Sequence, residues 1–435
     1  MFRIAHYQLD EWRLSARRKP LIIRGARQVG KTWLMKSFGE KEYSNTAYIN
    51  FDNNERMHQL FDGDFSIERI ISGLEIESGE TISAGKTLII FDEVQEVPKA
   101  LSSLKYFFEN AQEHHIVAAG SLLGVALHPG TSFPVGKVSF LDLYPMNFYE
   151  FVHACGDPQL IKLFDSKDWS LSNTFSDKFT DLLKKYYYVG GMPEVVEVYR
   201  ARQDFVEVRA LQNDILEAYE QDLSKHAPAA IVPRLRMLWD SIASQLSKEN
   251  KKFMYGLIKK GSRAREYEMA MSWLIDCGLI HKVSRVNKPG IPLKAYEDLK
   301  SFKLFILDVG LLAAMSSIDV KTLLEGNAIF TEFKGALTEQ FVLQELKSAG
   351  RQPFYWSHER GEAEIDFLLQ SGSDVVPIEV KAEINLRAKS LKSYRQKFVP
   401  ELSLRASLAN YNKENGLVNI PLYMLSHLSA ILDNE

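Results

Sequence analysis

Residues 20–35, PLIIRGARQVGKTWLM, are the stretch from which the fold of this chain is best predicted. The apolar run at residues 21–23 predicts a buried parallel strand. Residues 25–32 fit the phosphate-loop pattern G-x-x-x-x-G-K-[ST], and the residues after them predict a helix. Strand, loop and helix therefore occur in the order that a phosphate-binding loop requires.

The residue types of the loop have physical roles. Gly25 and Gly30 allow backbone conformations closed to other residues, so successive N–H groups can turn inward around a triphosphate. The amino end of the next helix adds partial positive charge. Lys31 is expected to reach the β- and γ-phosphates of ATP, and the Thr32 hydroxyl to hold Mg²⁺. The alternative is a glycine-containing turn that binds nothing.

A second apolar stretch, residues 87–93 (TLIIFDE), ends in two carboxylates. A central parallel strand has this pattern when its carboxyl end meets the ligand crevice. Asp92 is then expected to bind Mg²⁺, directly or through water, and Glu93 to orient or deprotonate the attacking water. The alternative is a solvated acidic turn. Because the two stretches agree, we expect hydrolysis of ATP rather than passive binding.

Further strands are predicted near residues 48–52, 115–121 and 138–143, with helices between them. Ser121 could sense the γ-phosphate or the attacking water, and the alternative is an ordinary polar strand end. Strands that alternate with helices after a phosphate loop predict an α/β fold with a parallel sheet covered on both faces. The predicted nucleotide-binding residues are Gly25, Ala26, Arg27, Gln28, Val29, Gly30, Lys31, Thr32, Trp33, Asp92 and Ser121.

The composition is that of a globular protein with more than one domain. Of the 435 residues, 46% are hydrophobic and 25% are charged, and this length predicts two or three domains. The sequence shows no run of about eighteen apolar residues and no apolar signal core at its start. Cys155 and Cys277 predict reduced thiols rather than a disulfide framework. We therefore expect a cytoplasmic protein without membrane contact.

The net charge of −3 argues against a protein that coats nucleic acid by bulk charge. Two segments are nevertheless locally basic, and they are either solvated helix faces or contacts with DNA or RNA. Their residues are Lys251, Lys252, Lys259, Lys260, Arg263 and Arg265 in the first segment and Arg387, Lys389, Lys392, Arg395 and Lys397 in the second.

Five segments together resemble a known family: RKPLIIRGARQVGKT, LIIFDEVQEVP, AAGSLLG, LYPMNFYEF and YYYVGGMPEVV. They are similar to the prokaryotic AAA-type ATPases that carry a C-terminal domain of unknown function with a nuclease-like fold. The similarity covers nearly the whole chain. That family usually has Gly-Arg before the last core strand, whereas here Gly136 is followed by Lys137, which gives charge without the planar fork of arginine.

The sequence divides into three predicted domains: an ATPase domain with a helical extension (1–207), a winged-helix-like domain (208–315) and a nuclease-like domain (316–435). Gly190 and Gly191, between aromatic and apolar runs, predict a hinge. The middle domain has helices followed by two predicted strands. Its segment 267–276 would be the DNA-recognition helix of a winged helix, but its Met, Trp and Ile residues favour a place in the core over DNA reading.

The last domain carries a different chemistry. Residues 363–369 and 375–381 predict two strands joined by a turn, and strand alternation places Glu379 and Lys381 on the same sheet face. With Glu339 on a predicted helix, the pattern resembles the metal-dependent PD-(D/E)XK nuclease fold.

That resemblance implies an Mg²⁺ site and a lysine that positions water or stabilises charge on phosphate. His358 and Glu364 flank the site. The alternative is a fold that keeps its scaffold and has lost the reaction. The predicted catalytic residues are Glu93, Glu339, Asp366, Glu379 and Lys381, and the predicted metal ligands are Thr32, Asp92, Glu339, Asp366 and Glu379.

Two classes of function follow from these features. In the first, ATP hydrolysis controls metal-dependent cleavage of DNA or RNA. In the second, ATP turnover drives a conformational switch or interaction protein whose nuclease-like domain is inactive. A pure nucleotide sensor would require an idle Glu93. Because sites of this type often use a neighbour's cation, we expect a homo-oligomer, with a ring as one form.

Overall fold

The computed structural model of the chain describes residues 1–120, 133–248, 251–325, 331–358, 363–384 and 388–432. The chain forms two compact units. The first unit contains Met1–Tyr144 and Asp276–Gly278, and the second contains Pro145–Ile275 and Leu279–Glu435. The domain boundaries predicted at residues 207 and 315 both fall inside the second unit.

The first unit is built on a five-stranded sheet. Its strands are β1 (Leu21–Arg24), β2 (Asn45–Asn50), β3 (Thr87–Asp92), β4 (His115–Ala119) and β5 (Ser139–Asp142). The strand order is β2-β3-β4-β1-β5, and every neighbouring pair is parallel. The predicted α/β core with a parallel sheet is therefore confirmed.

One helix precedes β1, and further helices connect the strands from β1 to β4. They are α1 (Ala5–Leu14), α2 (Lys31–Glu42), α3 (Glu55–Asp62), α4 (Ile67–Ser78) and α5 (Pro98–Asn110), with a short 3₁₀ turn at Val94–Glu96. The segment after β2 forms two helices, because the second one starts anew at Ser66, whose hydroxyl accepts a hydrogen bond from Arg69 N–H.

Strand β3 lies in the interior of the first unit, and all six of its residues are buried. Ile89 and Phe91 share a hydrophobic cluster with Ile22, Ile49 and residues of helices α3 to α5. A central strand buried on both faces has to be apolar until its end, where it reaches the crevice. The first charged side chains of this segment are therefore presented at the carboxyl edge of the sheet.

The second unit begins with helices. They are α6 (Phe148–Cys155), α7 (Pro158–Ser166), α8 (Trp169–Thr174), α9 (Ser176–Val189), α10 (Pro193–Arg202), α11 (Phe205–His226), α12 (Val232–Leu246), α13 (Tyr255–Ile258) and α14 (Ala264–Asp276), the last of which ends at the first unit's short segment. Helix α14 buries Tyr267, Met271 and Trp273, as expected for a helix that packs in a core.

A mixed sheet follows. Its strands are β6 (Ile280–Val286), β7 (Glu297–Ile306), β8 (Phe354–Ser357), β9 (Glu364–Ser371), β10 (Asp374–Val380), β11 (Ser403–Ser407), β12 (Asn412–Glu414) and β13 (Leu417–Pro421). The order is β12-β13-β11-β10-β9-β8-β6-β7. The antiparallel β6–β7 hairpin thus extends the sheet of the terminal strands through β8.

The remaining helices of the second unit are α15 (Val309–Met315), α16 (Val320–Glu325), α17 (Thr331–Ser348), α18 (Lys389–Phe398) and α19 (Leu428–Leu432), with 3₁₀ turns at Leu293–Tyr296 and Leu422–His427. Helix α17 is the predicted helix that carries Glu339.

The predicted hinge at Gly190 and Gly191 is instead a close-packed junction. Gly191 N–H donates to Asp308 Oδ1 at 2.6 Å, and its carbonyl accepts from Met146 N–H at 2.6 Å. Gly190 has φ +74°, and a side chain there would collide with the Asp308 carboxylate. Glycine is needed here because the backbones approach each other closely, so the two residues act in packing.

Two smaller expectations concern the cysteines and the membrane. Cys155 and Cys277 form no disulfide in the described part of the chain. None of the helices in the described part of the chain has the length and apolar character needed to cross a membrane.

Candidate functional site

The phosphate loop between β1 and α2 is turned rather than extended. Gly25, Gln28 and Gly30 have φ values of +153°, +64° and +91°. A Cβ atom at Gly25 would collide with the carbonyl oxygen of Leu143, so only glycine fits this position. Helix α2 begins directly after Gly30, at Lys31. The loop therefore ends at a helix amino terminus, where anions are favoured.

Lys31 lies inside this turn and is only 7% exposed. Its ammonium group donates to the carbonyl oxygens of Gly25 at 2.9 Å and Ala26 at 2.7 Å. Burial lowers the pKa of Lys31 to about 8, although the carboxylates of Glu93 and Asp92 oppose this shift. The lysine is thus held at the loop by neutral acceptors, which charged phosphate oxygens can replace.

Thr32 and Asp92 join the phosphate loop to the end of β3. Thr32 Oγ1 donates to Asp92 Oδ2 at 2.7 Å, and the Tyr48 hydroxyl donates to the same oxygen at 3.0 Å. A hydroxyl and a carboxylate are the hard oxygen ligands that Mg²⁺ takes next to a nucleotide. The side chains of these two residues therefore have the chemistry to bind the expected Mg²⁺ ion, which would also bind phosphate oxygens of the substrate.

Glu93 follows Asp92 in a left-handed backbone conformation, with φ +51° and ψ +43°. Its carboxylate oxygen Oε2 accepts a 2.7 Å hydrogen bond from Gln95 Nε2. Glutamate rarely adopts this conformation, and here it follows the last residue of the buried strand β3. Gln95 was missed as a site residue, although it lies two positions from the predicted base.

The other predicted nucleotide-binding residues have different surroundings. Ala26 and Val29 are 3% and 0% exposed, so their side chains pack inside and only their backbones can face a ligand. Arg27 is half-buried, and Trp33 is 42% exposed. Ser121 lies outside the described residues.

Lys137 is paired within its own chain. Its ammonium group lies 3.0 Å from Glu109 Oε1 and faces the ring of Phe108. The charge of Lys137 is therefore directed at Glu109 of the same chain.

In the second unit, the structure brings together the four residues of the predicted nuclease-like pattern. Asp366 on β9 and Glu379 on β10 interact with Glu339 of helix α17, and the three carboxyl groups affect one another's ionisation. Asp366 Oδ2 accepts from Val380 N–H at 2.7 Å. Lys381 Nζ lies 2.7 Å from Glu379 Oε1, as their predicted common face requires.

Two further lysines belong to this cluster and were missed. Lys303 on β7 is fully buried, with its Nζ 2.5 Å from Glu364 Oε1 and 3.6 Å from Glu339 Oε2. Lys251 forms an ion pair with the other oxygen of Glu339. Lys303 had a signal in the sequence, because a lone lysine inside the apolar run at residues 302–306 has to be paired. Lys251 had none, since it lies in a basic run that predicts a solvated surface.

These charges set the ionisation of the cluster. Burial opposes ionisation of Glu339, but the ammonium groups of Lys251 and Lys303 outweigh it and lower its pKa to about 2. Burial, together with the charges of Glu339 and Glu379, raises the pKa of Asp366 well above its usual range. Burial also raises the pKa of Glu379, which Lys381 only partly offsets.

The expected metal site is not formed in this arrangement. Among the residues that the structure describes, no three His, Cys, Asp or Glu side chains are grouped as a metal site. The oxygens have the right chemistry, and the buried Oε2 atom of Glu379 accepts no hydrogen bond within the described part of the chain. Ammonium groups pair with the carboxylates instead, so the predicted Mg²⁺ at Glu339, Asp366 and Glu379 does not fit the site as it stands.

The predicted basic segments are largely on the surface. Lys259, Lys260, Arg263 and Arg265 are exposed, whereas Lys251 is turned inward to Glu339. In the second segment, Lys389, Lys392 and Lys397 are exposed along α18. Arg387 lies outside the described residues. His358, predicted to flank the site, contacts the ring of Trp356.

Comparison with family models assigns the chain in three parts. Residues 17–152 match the model described as an AAA domain. Residues 180–322 and 334–425 match two models described as domains of unknown function, DUF8612 and DUF4143. No curated protein sequence matches the chain.

Three solved structures show a distant likeness. A Walker-type ATPase of Pyrococcus abyssi is 15% identical, with a TM-score of 0.45 over 72% of this chain and 94% of that chain. The ORC1 protein of Aeropyrum pernix, solved in complex with DNA, is 14% identical, with a TM-score of 0.26 over 72% and 90%. Cdc6p from Pyrobaculum aerophilum is 12% identical, with a TM-score of 0.24 over 74% and 93%.

The order of the parallel sheet, the turned phosphate loop and the family match agree for one part of the chain. Residues 17–152 are therefore similar to an AAA domain in sequence and form a parallel α/β sheet with a turned phosphate loop.

Proposed function

We propose that the first unit binds ATP together with Mg²⁺ and hydrolyses it. The observation that carries this proposal is the hydrogen bond of 2.7 Å between Thr32 and Asp92. It joins the helix after the phosphate loop to the carboxyl end of a buried central strand, with Glu93 as the next residue. Phosphoryl transfer depends on positioning and on charge stabilisation, and these residues supply both.

Each residue has a separate role in this proposal. Lys31 exchanges its two carbonyl acceptors for the oxygens of the β- and γ-phosphates, which accept more strongly because they are charged. Thr32 and Asp92 would hold Mg²⁺, which neutralises phosphate charge when bound. Glu93 accepts the proton of the attacking water. Tyr48 fixes Asp92 through its hydrogen bond.

Phosphate release by the full chain, measured with Mg²⁺ and ATP, tests the proposal. Lys31→Ala should abolish ATP binding and turnover, since no other ammonium group donates within the loop in the described residues. Lys41→Ala is the matched control, because Lys41 lies on the same helix with its side chain 67% exposed. Turnover that survives Lys31→Ala would remove the assignment of the loop.

A second candidate function is metal-dependent cleavage of nucleic acid by the second unit. One observation favours it: Glu339, Asp366, Glu379 and Lys381 meet at one place although they come from three separate elements. Exposed lysines of α18 supply a surface that can contact a phosphate backbone. The rival is an ATP-driven switch in which the second unit binds a partner without cleavage, and the lysine-paired carboxylates favour that rival.

Labelled single- and double-stranded DNA and RNA, incubated with the protein and Mg²⁺ or Mn²⁺, distinguish these two functions. Cleavage that disappears in both Asp366→Ala and Lys381→Ala, but not in the exposed control Glu414→Ala, supports the nuclease. Cleavage that both variants retain would come from a contaminant. If no substrate is cut, the switch is the better account.

A further inference from the structure

Lys251 reaches the carboxylate cluster from a distant part of the chain. It pairs with Glu339, which lies 88 residues later. The segment that carries Lys251 is fixed nearby, because Phe253 N–H donates to the carbonyl oxygen of Phe302 at 2.8 Å. The rings of Phe253 and Phe302 also stack at 5.6 Å. The position of Lys251 at Glu339 is therefore set by packing on β7, next to Lys303.

The lysines of the cluster are not equivalent. Lys303 is a fully buried residue within strand β7, with 0% of its side chain exposed, so it cannot leave without unfolding the sheet. Lys381 pairs with Glu379 just after β10. Lys251 lies outside regular structure, and 13% of its side chain is exposed. Lys251 is thus the ammonium group that can be exchanged most easily.

Charge balance shows what can replace it. The cluster contains four carboxyl groups, those of Glu339, Glu364, Asp366 and Glu379, and three ammonium groups, so the carboxyl groups outnumber the ammonium groups by one. Exchange of the Lys251 ammonium for a divalent cation would add a single positive charge to the cluster. A divalent cation added beside Lys251 would leave an excess of positive charge in a buried site, which is costly.

We propose that Lys251 occupies the place of a cation at Glu339 and that a divalent cation binds this cluster only by displacing it. This inference rests on the proposed metal-dependent function of the second unit. It accounts for a set of carboxylates that has the chemistry of a metal site and yet is paired with lysines. Lys251 then determines whether the site holds a metal.

Mn²⁺ binding to the full chain, followed by electron paramagnetic resonance without nucleotide, tests this role. All proteins carry Lys31→Ala, so that no nucleotide retained from purification can hold Mn²⁺ at the phosphate loop. Lys251→Met should raise the affinity for Mn²⁺ by about 10-fold or more, the size of effect that a neighbouring opposite charge has on a carboxylate. Lys251→Arg, which keeps the charge, should bind Mn²⁺ as weakly as the parent.

Two controls locate the bound Mn²⁺. Lys259→Met removes an exposed charge from the same basic segment and should leave the affinity unchanged. Adding Glu339→Gln to Lys251→Met should abolish the gain. If Lys251→Met folds, as its thermal unfolding shows, and binds Mn²⁺ no more tightly than the parent, the inference is wrong.

The inference and the nuclease proposal fail separately. If Lys251→Met binds Mn²⁺ more tightly but cuts no nucleic acid, the displacement of Lys251 is supported and the nuclease proposal is wrong. If the parent already binds Mn²⁺ as tightly as Lys251→Met and the wild-type chain cuts nucleic acid, the nuclease proposal is supported and the displacement of Lys251 is wrong.

Discussion

Thr32 Oγ1 donates a 2.7 Å hydrogen bond to Asp92 Oδ2, which links two segments 60 residues apart in the sequence. The threonine lies in the first turn of α2 and the aspartate at the end of β3. Parallel strands β1 and β3 end at the same edge of the sheet, so the residues that follow them meet there. This contact organises the candidate ATP site.

Removal of the Tyr48 hydroxyl should affect that site moderately. Tyr48→Phe keeps the ring, which packs under Lys36, and removes only the donor to Asp92 Oδ2. A lost hydrogen bond to a charged group costs about 1.5–3 kcal/mol. We therefore expect the Mg²⁺ concentration that gives the half-maximal rate of turnover to rise by about 10- to 100-fold. An unchanged Mg²⁺ dependence would show that Tyr48 does not position Asp92.

Gln95 should position Glu93, the proposed base. Its Nε2 atom donates to Glu93 Oε2 at 2.7 Å, which fixes one carboxylate oxygen. Gln95→Ala should lower kcat about 10-fold while the KM for ATP stays the same, because the contact touches the base and not the phosphate loop. Steady-state kinetics of Gln95→Ala beside Gln112→Ala, at a more distant loop position, checks this. A raised KM with normal kcat would contradict it.

Affinity for ATP should depend on pH through Lys31. Burial lowers the pKa of Lys31 to about 8, so without ATP its ammonium group loses its proton as the pH rises through that value. ATP requires the charged form, so binding is strongest below about pH 8. It should weaken above this pH by about tenfold per unit, once Lys31 is mostly neutral.

Isothermal titration at pH 7, 8 and 9 measures this dependence. Near pH 8 the heat of binding should also vary with the ionisation enthalpy of the buffer, because ATP binding takes up a proton. An affinity that is constant from pH 7 to pH 9 would contradict the lowered pKa of Lys31.

Glu345 should make the stability of the second unit depend on pH. Burial raises its pKa to about 7, against hydrogen bonds from Phe148 N–H and the Ser426 hydroxyl. A raised folded-state pKa stabilises the fold fully below the unfolded value near 4.5, and this contribution is lost as the pH rises through about 7. Above that pH the folded chain carries a buried charge.

Glu345→Gln therefore should be close to neutral at pH 5 and should raise the free energy of unfolding at pH 8 by about 1–3 kcal/mol. Urea denaturation at both pH values measures the difference. The exposed residue Glu194 provides the control variant Glu194→Gln, which should show no such change. The prediction fails if the effect of Glu345→Gln is the same at pH 5 and pH 8.

The sequence predicted the core of the first unit well because its signals are local. Apolar runs mark β1 and β3 to within a residue of their observed ends, and the phosphate loop is contiguous. Strand β2 was placed three residues late, since Asn45 and Thr46 at its start carry no apolar signal. Where neighbouring residues decide the structure, the pattern was sufficient.

The candidate site of the second unit was predicted only in part. Glu339, Asp366, Glu379 and Lys381 were found from their pattern, and the structure brings them together. The pairing of Glu339 with Lys251 depends on how β7 joins the terminal strands through β6 and β8, which sequence spacing does not show. The ionic state of a buried cluster follows from such long-range contacts.

The central claim is that Glu93 acts as the base for hydrolysis in a site that binds ATP independently of it. Measurement of ATP affinity and of phosphate release for Glu93→Gln tests this most directly. We predict an affinity within about threefold of the wild-type value, with turnover lowered by about 10²- to 10⁴-fold, the usual contribution of a general base. Phosphate release by Glu93→Gln at the wild-type rate would contradict the account.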